Sequence, residues 1–451
     1  MVRGVTGCRV PGPRGSLGLG ARCSGFEATP GAYPTASAAS RPALDSGARM
    51  AAVLGPVLPE SPQVSELGLE GDVLPVPGDH PASRNRFLYV RGALHKLPSG
   101  LGGLLRPVPP FSRALFWSGL RDLLAPASTQ PDETVHAFVC RCFGVADIAV
   151  DSLCREVFAG DCRALSVRSC FPPLFEAEQR RRSVLLGLVL GRGKNPGAES
   201  PLSQRARAES WSQWSLPDAS VPFLARGGCS VDPVVPSSHG PFPQLALADG
   251  TVTADHVVSA IPAGALAEVL PAEAEPLAQE LRRIPAVAVA VVNLQYEGAK
   301  LPVTGFGHLV PSSEDSSLLG IIYDSVAFPE HNRSGAASLR LTVMLGGAWF
   351  TQSFGEPAAV APALLLHRAQ DAVRAHLGLE MAPSRSIIKV HKACIPQYTL
   401  GHWRRTESIG QYLAEQGLPL SLIGASYNGV SVNDCIASAK TAVSRLLGQL
   451  C

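Results

Sequence analysis

The stretch best suited to holding a ligand lies at the end of the chain. Leu420–Ile423 reads as an apolar strand and Asp434–Leu450 as a helix, joined by a loop, Gly424-Ala-Ser-Tyr-Asn-Gly429-Val-Ser-Val-Asn433, that carries two glycines. A strand that ends in a glycine turn and feeds a helix N-terminus presents free backbone N–H groups and the positive end of the helix dipole. Glycine also lets a flat or anionic ligand approach the backbone closely. Plain connections use the same strand–glycine–helix turn, so both readings stand on these residues alone.

Other chemistries fail on spacing. Gly424-Ala-Ser426-Tyr-Asn-Gly429 is one residue too long for a nucleophile elbow, and no histidine follows Ser426, which excludes a serine hydrolase of that type. Three stretches approach the dinucleotide fingerprint G-x-G-x-x-G. Gly18-Leu-Gly20 runs on to Cys23, Gly100-Leu-Gly102 to Leu105, and Gly191-Arg-Gly193 to Pro196. None follows a strand and opens a helix, so the fingerprint is absent. The eleven cysteines are irregularly spaced, and Cys140-Arg-Cys142 lacks the second pair a zinc site needs. They read as reduced, mostly buried thiols. A net charge of +2 gives no case for nucleic-acid binding.

The elements that must position a site are unevenly written. Residues 1–62 hold 18 Gly or Pro and residues 216–243 hold nine, and neither stretch has a hydrophobic period. Both read as linker or disordered sequence. Asp132 is placed to cap a helix through Glu133–Phe143. Ala93–Ala125 interleaves Phe111, Phe116 and Trp117 with Lys96, Arg106, Arg113 and Arg121, which suits either a helix at a membrane surface or an ordinary amphipathic core helix. The apolar runs Ser183–Gly191 and Ile284–Leu294 are too short to span a bilayer and read as core. Leu245–Ala248 and Thr251–Ile261 read as a hairpin turned at Asp249-Gly250. Ala286–Tyr296, Leu318–Tyr323, Ser338–Leu345 and Ile387–Val390 read as strands, and Ala358–Leu377 as a long helix.

Six long stretches carry a resemblance. They are Asp79-His-Pro-Ala-Ser-Arg-Asn-Arg86, Asp151-Ser-Leu-Cys-Arg-Glu-Val-Phe-Ala-Gly160, Ala254-Asp-His-Val-Val-Ser-Ala-Ile-Pro262, Thr304-Gly-Phe-Gly-His-Leu-Val-Pro-Ser-Ser-Glu-Asp315, Ile395-Pro-Gln-Tyr-Thr-Leu-Gly-His-Trp403, and Gly424 through Ile436. From about Val64 to Leu216, and again from about Leu245 onward, the chain resembles the mitochondrial-type protoporphyrinogen oxidases of the flavin amine-oxidase superfamily. The resemblance implies FAD as cofactor, protoporphyrinogen IX as substrate, protoporphyrin IX as product and O2 as electron acceptor. Hydride would leave a meso carbon for the flavin, so the protein need supply neither nucleophile nor metal. It also implies a homodimer bound peripherally to the mitochondrial inner membrane on its intermembrane-space side. The arginines Arg3, Arg9, Arg14 and Arg22, with no acid among residues 1–26, suit a transit peptide, although Pro11 and Pro13 spoil an amphipathic helix.

Matched by position, the resemblance places Arg86 on a substrate propionate, a task for a guanidinium fork. Leu153, Phe306, Leu309 and Met344 would form the apolar slot, with Gly307 leaving room for the macrocycle. Gly429, Val430 and Ser431 would meet the flavin, with His402 and Trp403 nearby. The chain departs from the family in residues 1–62, where the glycine fingerprint is missing, and in residues 216–243. Glu156 stands where the family has glycine, and a carboxylate beside an apolar ligand costs several kcal/mol unless it is paired or protonated.

The expected fold is therefore α/β (α+β mixed), with a Rossmann-like FAD-binding domain incomplete at its N-terminus, a β-rich substrate domain and a helical membrane-binding domain. Residues 63–80, 245–264 and 385–451 would make the first, 265–384 the second and 81–195 the third, with 1–62 atypical and 196–244 a linker. Two alternatives follow from the departures: a catalytically silent form unable to retain FAD, or another amine-oxidase-like flavoenzyme.

Overall fold

The computed structural model describes residues 73–98, 106–111, 115–126, 128–144, 148–190, 205–206, 208–215, 231–236, 243–247, 250–332 and 338–448. The expectations for residues 1–62 lie outside these. In chain order the strands are β1 (Leu74–Pro77), β2 (Arg86–Val90), β3 (Ala93–Lys96), β4 (Trp211–Ser215), β5 (Val231–Pro236), β6 (Pro243–Leu247) and β7 (Gly250–Thr253). They continue with β8 (Val257–Ser259), β9 (Ala286–Glu297), β10 (Gly307–Leu309), β11 (Leu318–Ile322), β12 (Ser338–Gly347), β13 (Arg385–Pro396) and β14 (Leu420–Leu422). The helices that matter here are α1 (Leu115–Leu124), α2 (Val135–Phe143), α3 (Ala149–Phe158), α4 (Val184–Leu190), α5 (Pro362–Leu377), α6 (His402–Glu415) and α7 (Val432–Leu446).

A seven-stranded mixed sheet in the order β13-β9-β12-β11-β10-β2-β3 dominates the molecule. Its inner strands are antiparallel, while β10 and β2 run parallel with Gly307 opposite Arg86. The Val- and Leu-rich runs of β9 and β12 produce this, because β-branched and large apolar side chains suit the covered face of a sheet. On one face Leu341, Val343 and Leu345 of β12 pack with Val292, Leu294 and Tyr296 of β9 and with Leu365, Ala369, Ala372 and Val373 of α5. The residues of α5 recur at helical spacing, so a single stripe of that helix enters the core.

The second parallel unit is small. Strands β8 and β14 pair as a two-stranded sheet, Leu420 opposite Val257 and Leu422 opposite Ser259. Leu420 and Leu422 pack on a cluster of Leu266, Leu277, Leu281, Ile409 and Tyr427. Helix α7 follows, and of its fifteen residues only Ala442 is buried.

Several expectations are corrected. Ala93–Lys96 is not helical; it forms a hairpin with β2 across Arg91 and Gly92, both at positive φ, the backbone that a tight two-residue turn demands. Among the described residues of Ala93–Ala125, α1 is the one α-helix. Strands β2 and β3, placed by sequence in a helical domain, close one side of the large sheet, and β13 closes the other. The cap of α2 is Thr134, whose hydroxyl accepts from Ala137 N at 3.1 Å. Asp132 instead accepts from Ser166 Oγ at 2.7 Å and from Gly401 N at 3.2 Å. The strand expected over Thr251–Ile261 is divided between β7 and β8, with Leu247 opposite Gly250 in the hairpin. Val231–Pro236, read as linker, pairs with β6. Finally, the Ser183–Gly191 run is core only in part: Val184 is buried in a cluster with Phe138 and Phe175, whereas Leu185, Leu186, Leu188 and Leu190 of α4 are exposed.

Candidate active site

The sheet face opposite α5 brings together two of the residues expected to line the slot. Strand pairs that oppose one another put their side chains on the same face. Leu88, Leu309, Gly320, Met344 and Val291 stand in successive register across β2, β10, β11, β12 and β9. Leu309 and Met344 therefore share a face, separated by a glycine that puts no side chain between them. Arg86 and Gly307 form the next row on the same face, and Phe306 precedes Gly307 with its ring 5.3 Å from the Arg86 guanidinium carbon. Gly320 sits in an otherwise continuous apolar run, the place where a glycine marks a close backbone approach.

Gly307 needs a different explanation from the one expected. A Cβ there would lie 2.4 Å from Ile321 O and 3.0 Å from Ile322 Cα. The glycine is required so that β10 can approach β11, whatever ligand lies on the sheet.

Helix α3 brings in the other slot residues. Leu153 and Val157 are 40% and 38% exposed, flanking Glu156 at helical spacing. Glu156 Oε1 accepts from Arg86 Nη1 at 3.1 Å. Burial raises the Glu156 pKa and the Arg86 charge opposes that rise. The adjacent Arg155 turns the other way. It is 1% exposed, lies over the Trp349 ring, and donates through Nη2 to the carbonyls of Asp315, Ser316 and Leu318. Burial lowers its pKa to about 10. It anchors α3 to the loop before β11.

The end of α3 connects this slot to the glycine loop. Phe158 O accepts from Gln397 Nε2 at 2.7 Å, and the Phe158 ring stands 5.9 Å from that of Tyr398. Tyr398 donates its hydroxyl to Ala425 O at 2.6 Å and accepts from Gly429 N at 2.9 Å. Gly429 sits at φ +107°, and a Cβ on it would collide with the Asp434 side chain. Ser431 caps α7 in a reciprocal box with Asp434. Val430 packs at the edge of the cluster formed by α2, α3 and Tyr398. The buried His402 ring stacks on Tyr398 at 4.0 Å and its Nε2–H donates to Tyr427 O at 3.0 Å. Burial lowers the His402 pKa to about 4, so the ring is neutral and Nδ1 is a bare acceptor. Trp403 points elsewhere, with the Arg168 guanidinium 3.6 Å over its ring. Of the expected pair, His402 belongs to the loop and Trp403 does not. Ser426, discounted as a nucleophile, accepts from Ala263 N at 3.0 Å.

This loop fits one part of a flavin and not another. His402 Nδ1, Tyr427 Oη and Asn433 Oδ1 are buried without a partner, valences that suit the polar edge of a flat heteroaromatic ring. The helix N-terminus does not suit a pyrophosphate, because the Asp434 carboxylate already occupies it. The pyrophosphate would need the glycine fingerprint that the sequence lacks.

Comparison with known proteins decides the family. Residues 62–447 match the family described as flavin containing amine oxidoreductase. The chain belongs to that family. It is 57% identical over 400 residues to the protoporphyrinogen oxidase of Macaca fascicularis and 56% to that of Homo sapiens, covering 85% of this chain and 83% of each relative. A solved protein of Exiguobacterium sp. 255-15, provisionally named a protoporphyrinogen oxidase, shares the fold at a TM-score of 0.64 and 19% identity, over 86% of this chain and 84% of that one. The mixed α/β architecture agrees with these relatives.

Proposed function

We propose that the chain is an FAD-dependent protoporphyrinogen oxidase that converts protoporphyrinogen IX to protoporphyrin IX in haem synthesis, with O2 as acceptor. The observation that carries this reading is the identity of 56–57% to curated mammalian enzymes across 85% of the chain. The geometry supports it. Leu309 and Met344 offer an apolar floor, Leu153 an apolar wall, and Arg86, paired with Glu156, a guanidinium at the mouth. The bound flavin supplies the hydride acceptor. The protein's share is to hold the macrocycle beside the flavin, which His402, Gly429 and Val430 would meet, and to exclude water. The test is to follow protoporphyrin fluorescence from protoporphyrinogen IX with excess FAD, in air and under argon. A rate that exceeds spontaneous oxidation and depends on both FAD and O2 supports the reading; a rate equal to the protein-free control overturns it.

A second reading, a form that cannot retain FAD, is favoured by the missing fingerprint and the single buried residue of α7. Purified protein that stays colourless after incubation with FAD and gel filtration would establish it.

The membrane site is proposed on α1 and α4. Phe116, Trp117, Leu120, Leu123 and Leu124 of α1 are exposed beside the exposed leucines of α4, and Leu124 is 83% exposed. Asp122 holds the pair together: it is buried, accepts from Ser183 Oγ at 2.6 Å and from Leu185 N at 3.0 Å, and so caps α4. Among the described residues no helix is long and apolar enough to cross a membrane, so a face lying in the interface is the reading the surface supports. Flotation with cardiolipin-containing vesicles tests it, with Trp117→Glu expected to abolish binding. Location on the intermembrane-space side of the mitochondrial inner membrane, and homodimerisation, are proposed from the resemblance; cell fractionation and sedimentation velocity test them.

A further inference from the structure

The porphyrinogen reading assigns Arg86 to a substrate carboxylate, yet in the structure that guanidinium already holds one. Glu156 Oε1 lies 3.1 Å from Arg86 Nη1. The two side chains are 30% and 27% exposed, so the pair stands at the slot mouth, within reach of a ligand, rather than sealed in the core. The apolar side chains on either side of Glu156, Leu153 and Val157, are open as well. A macrocycle lying on Leu153 would therefore bring its own carboxylate against a pair that is already neutral.

The electrostatics of that encounter are unfavourable. A free guanidinium gains a charge-assisted, bidentate partner from a propionate. A guanidinium already engaged must share its fork or release Glu156, and the incoming carboxylate also meets a like charge at close range. Arg155 cannot compensate, because it is buried, with its Nη2 held by three carbonyls at the loop before β11.

We propose that Glu156 is a specificity-determining residue that competes with the substrate carboxylate for Arg86, so that the slot gains little from a free propionate and takes a neutral macrocycle about as well. This rests on the protoporphyrinogen oxidase reading. It concerns binding alone and needs no flavin.

The test is a fluorescence titration of the full chain with protoporphyrin IX and with its dimethyl ester in the same neutral detergent. The wild type should bind both with affinities within about threefold of one another. Glu156→Gln should tighten the free acid about tenfold and leave the ester unchanged, the ester serving as the control for folding. Adding Arg86→Gln to Glu156→Gln should cancel the gain. A Glu156→Gln protein that binds the free acid no more tightly, or that moves both ligands equally, overturns the proposal while leaving the porphyrin slot in place. A chain that binds neither ligand in any variant overturns the porphyrinogen reading itself.

Discussion

The large sheet and the β8–β14 unit are built from similar residues but finished to different degrees. In β12, Leu341, Val343 and Leu345 are fully buried between β9 and α5. In α7, Val432, Val443 and Leu446 face solvent, as does Leu447 just after it, although the helix is amphipathic in sequence. A parallel pair of strands is ordinarily covered on both faces. Here the cluster of Leu266, Leu277 and Ile409 covers one. Among the described residues the contrast is between a sheet covered by a helix and a parallel pair whose following helix buries little.

Mutations should respond to this difference. The largest effect is expected from Leu341→Ala, which opens a cavity in the finished core and should cost about 3 kcal/mol in urea unfolding. The matching change on the unfinished side, Val443→Ala, should cost less than about 0.5 kcal/mol; equal losses would erase the comparison. Tyr398→Phe removes the hydroxyl that joins Ala425 O to Gly429 N, and should cost about 1–2 kcal/mol. Acid should weaken the finished half. His308 Nδ1 lies 2.8 Å from Tyr323 Oη and its Nε2 2.9 Å from His376 Nδ1, and burial lowers the His308 pKa to about 3 and that of His376 to about 4. The unfolded chain takes up these protons near pH 6.5 and the folded chain does not. The stabilisation is therefore whole above pH 6.5 and is lost as pH falls toward 4. Between pH 7 and 5.5 His308 alone should account for about 1 kcal/mol. Asp324 works in the opposite sense, because burial raises its pKa to about 6 and the folded state binds its proton first. The His308→Asn protein should thus lose less stability on acidification than the wild type. The smallest effect is expected at Trp403, where Trp403→Phe should leave porphyrin affinity unchanged.

The finished half was also the more legible. Runs such as Ala286–Tyr296 and Ser338–Leu345 state their strands because apolar residues alternate along them, as Leu339, Leu341, Val343 and Leu345 do. Gly307 is ambiguous in sequence, since a strand–strand approach and a ligand pocket both ask for glycine and only register separates them. The Arg86–Glu156 pair joins residues 70 apart through β2 and α3, and no local pattern encodes it. The Ser183–Gly191 run looked like core because hydrophobicity alone does not say whether a second surface covers it. The glycine loop at 424–433 was legible as strand, turn and helix. The Asp434 carboxylate that closes its anion site was not recognised, although a Ser at the cap with an acid three residues on is a readable signature.

Hydrogen exchange followed by mass spectrometry on the full chain, with and without excess FAD, tests the contrast most directly. The account predicts that amides of β9 and β12 stay protected in both samples. Those of β8, β14 and α7 should exchange early without FAD and slow when it is added, since binding stabilises the elements that hold the ligand. Equal protection of the two regions in the absence of FAD would contradict it.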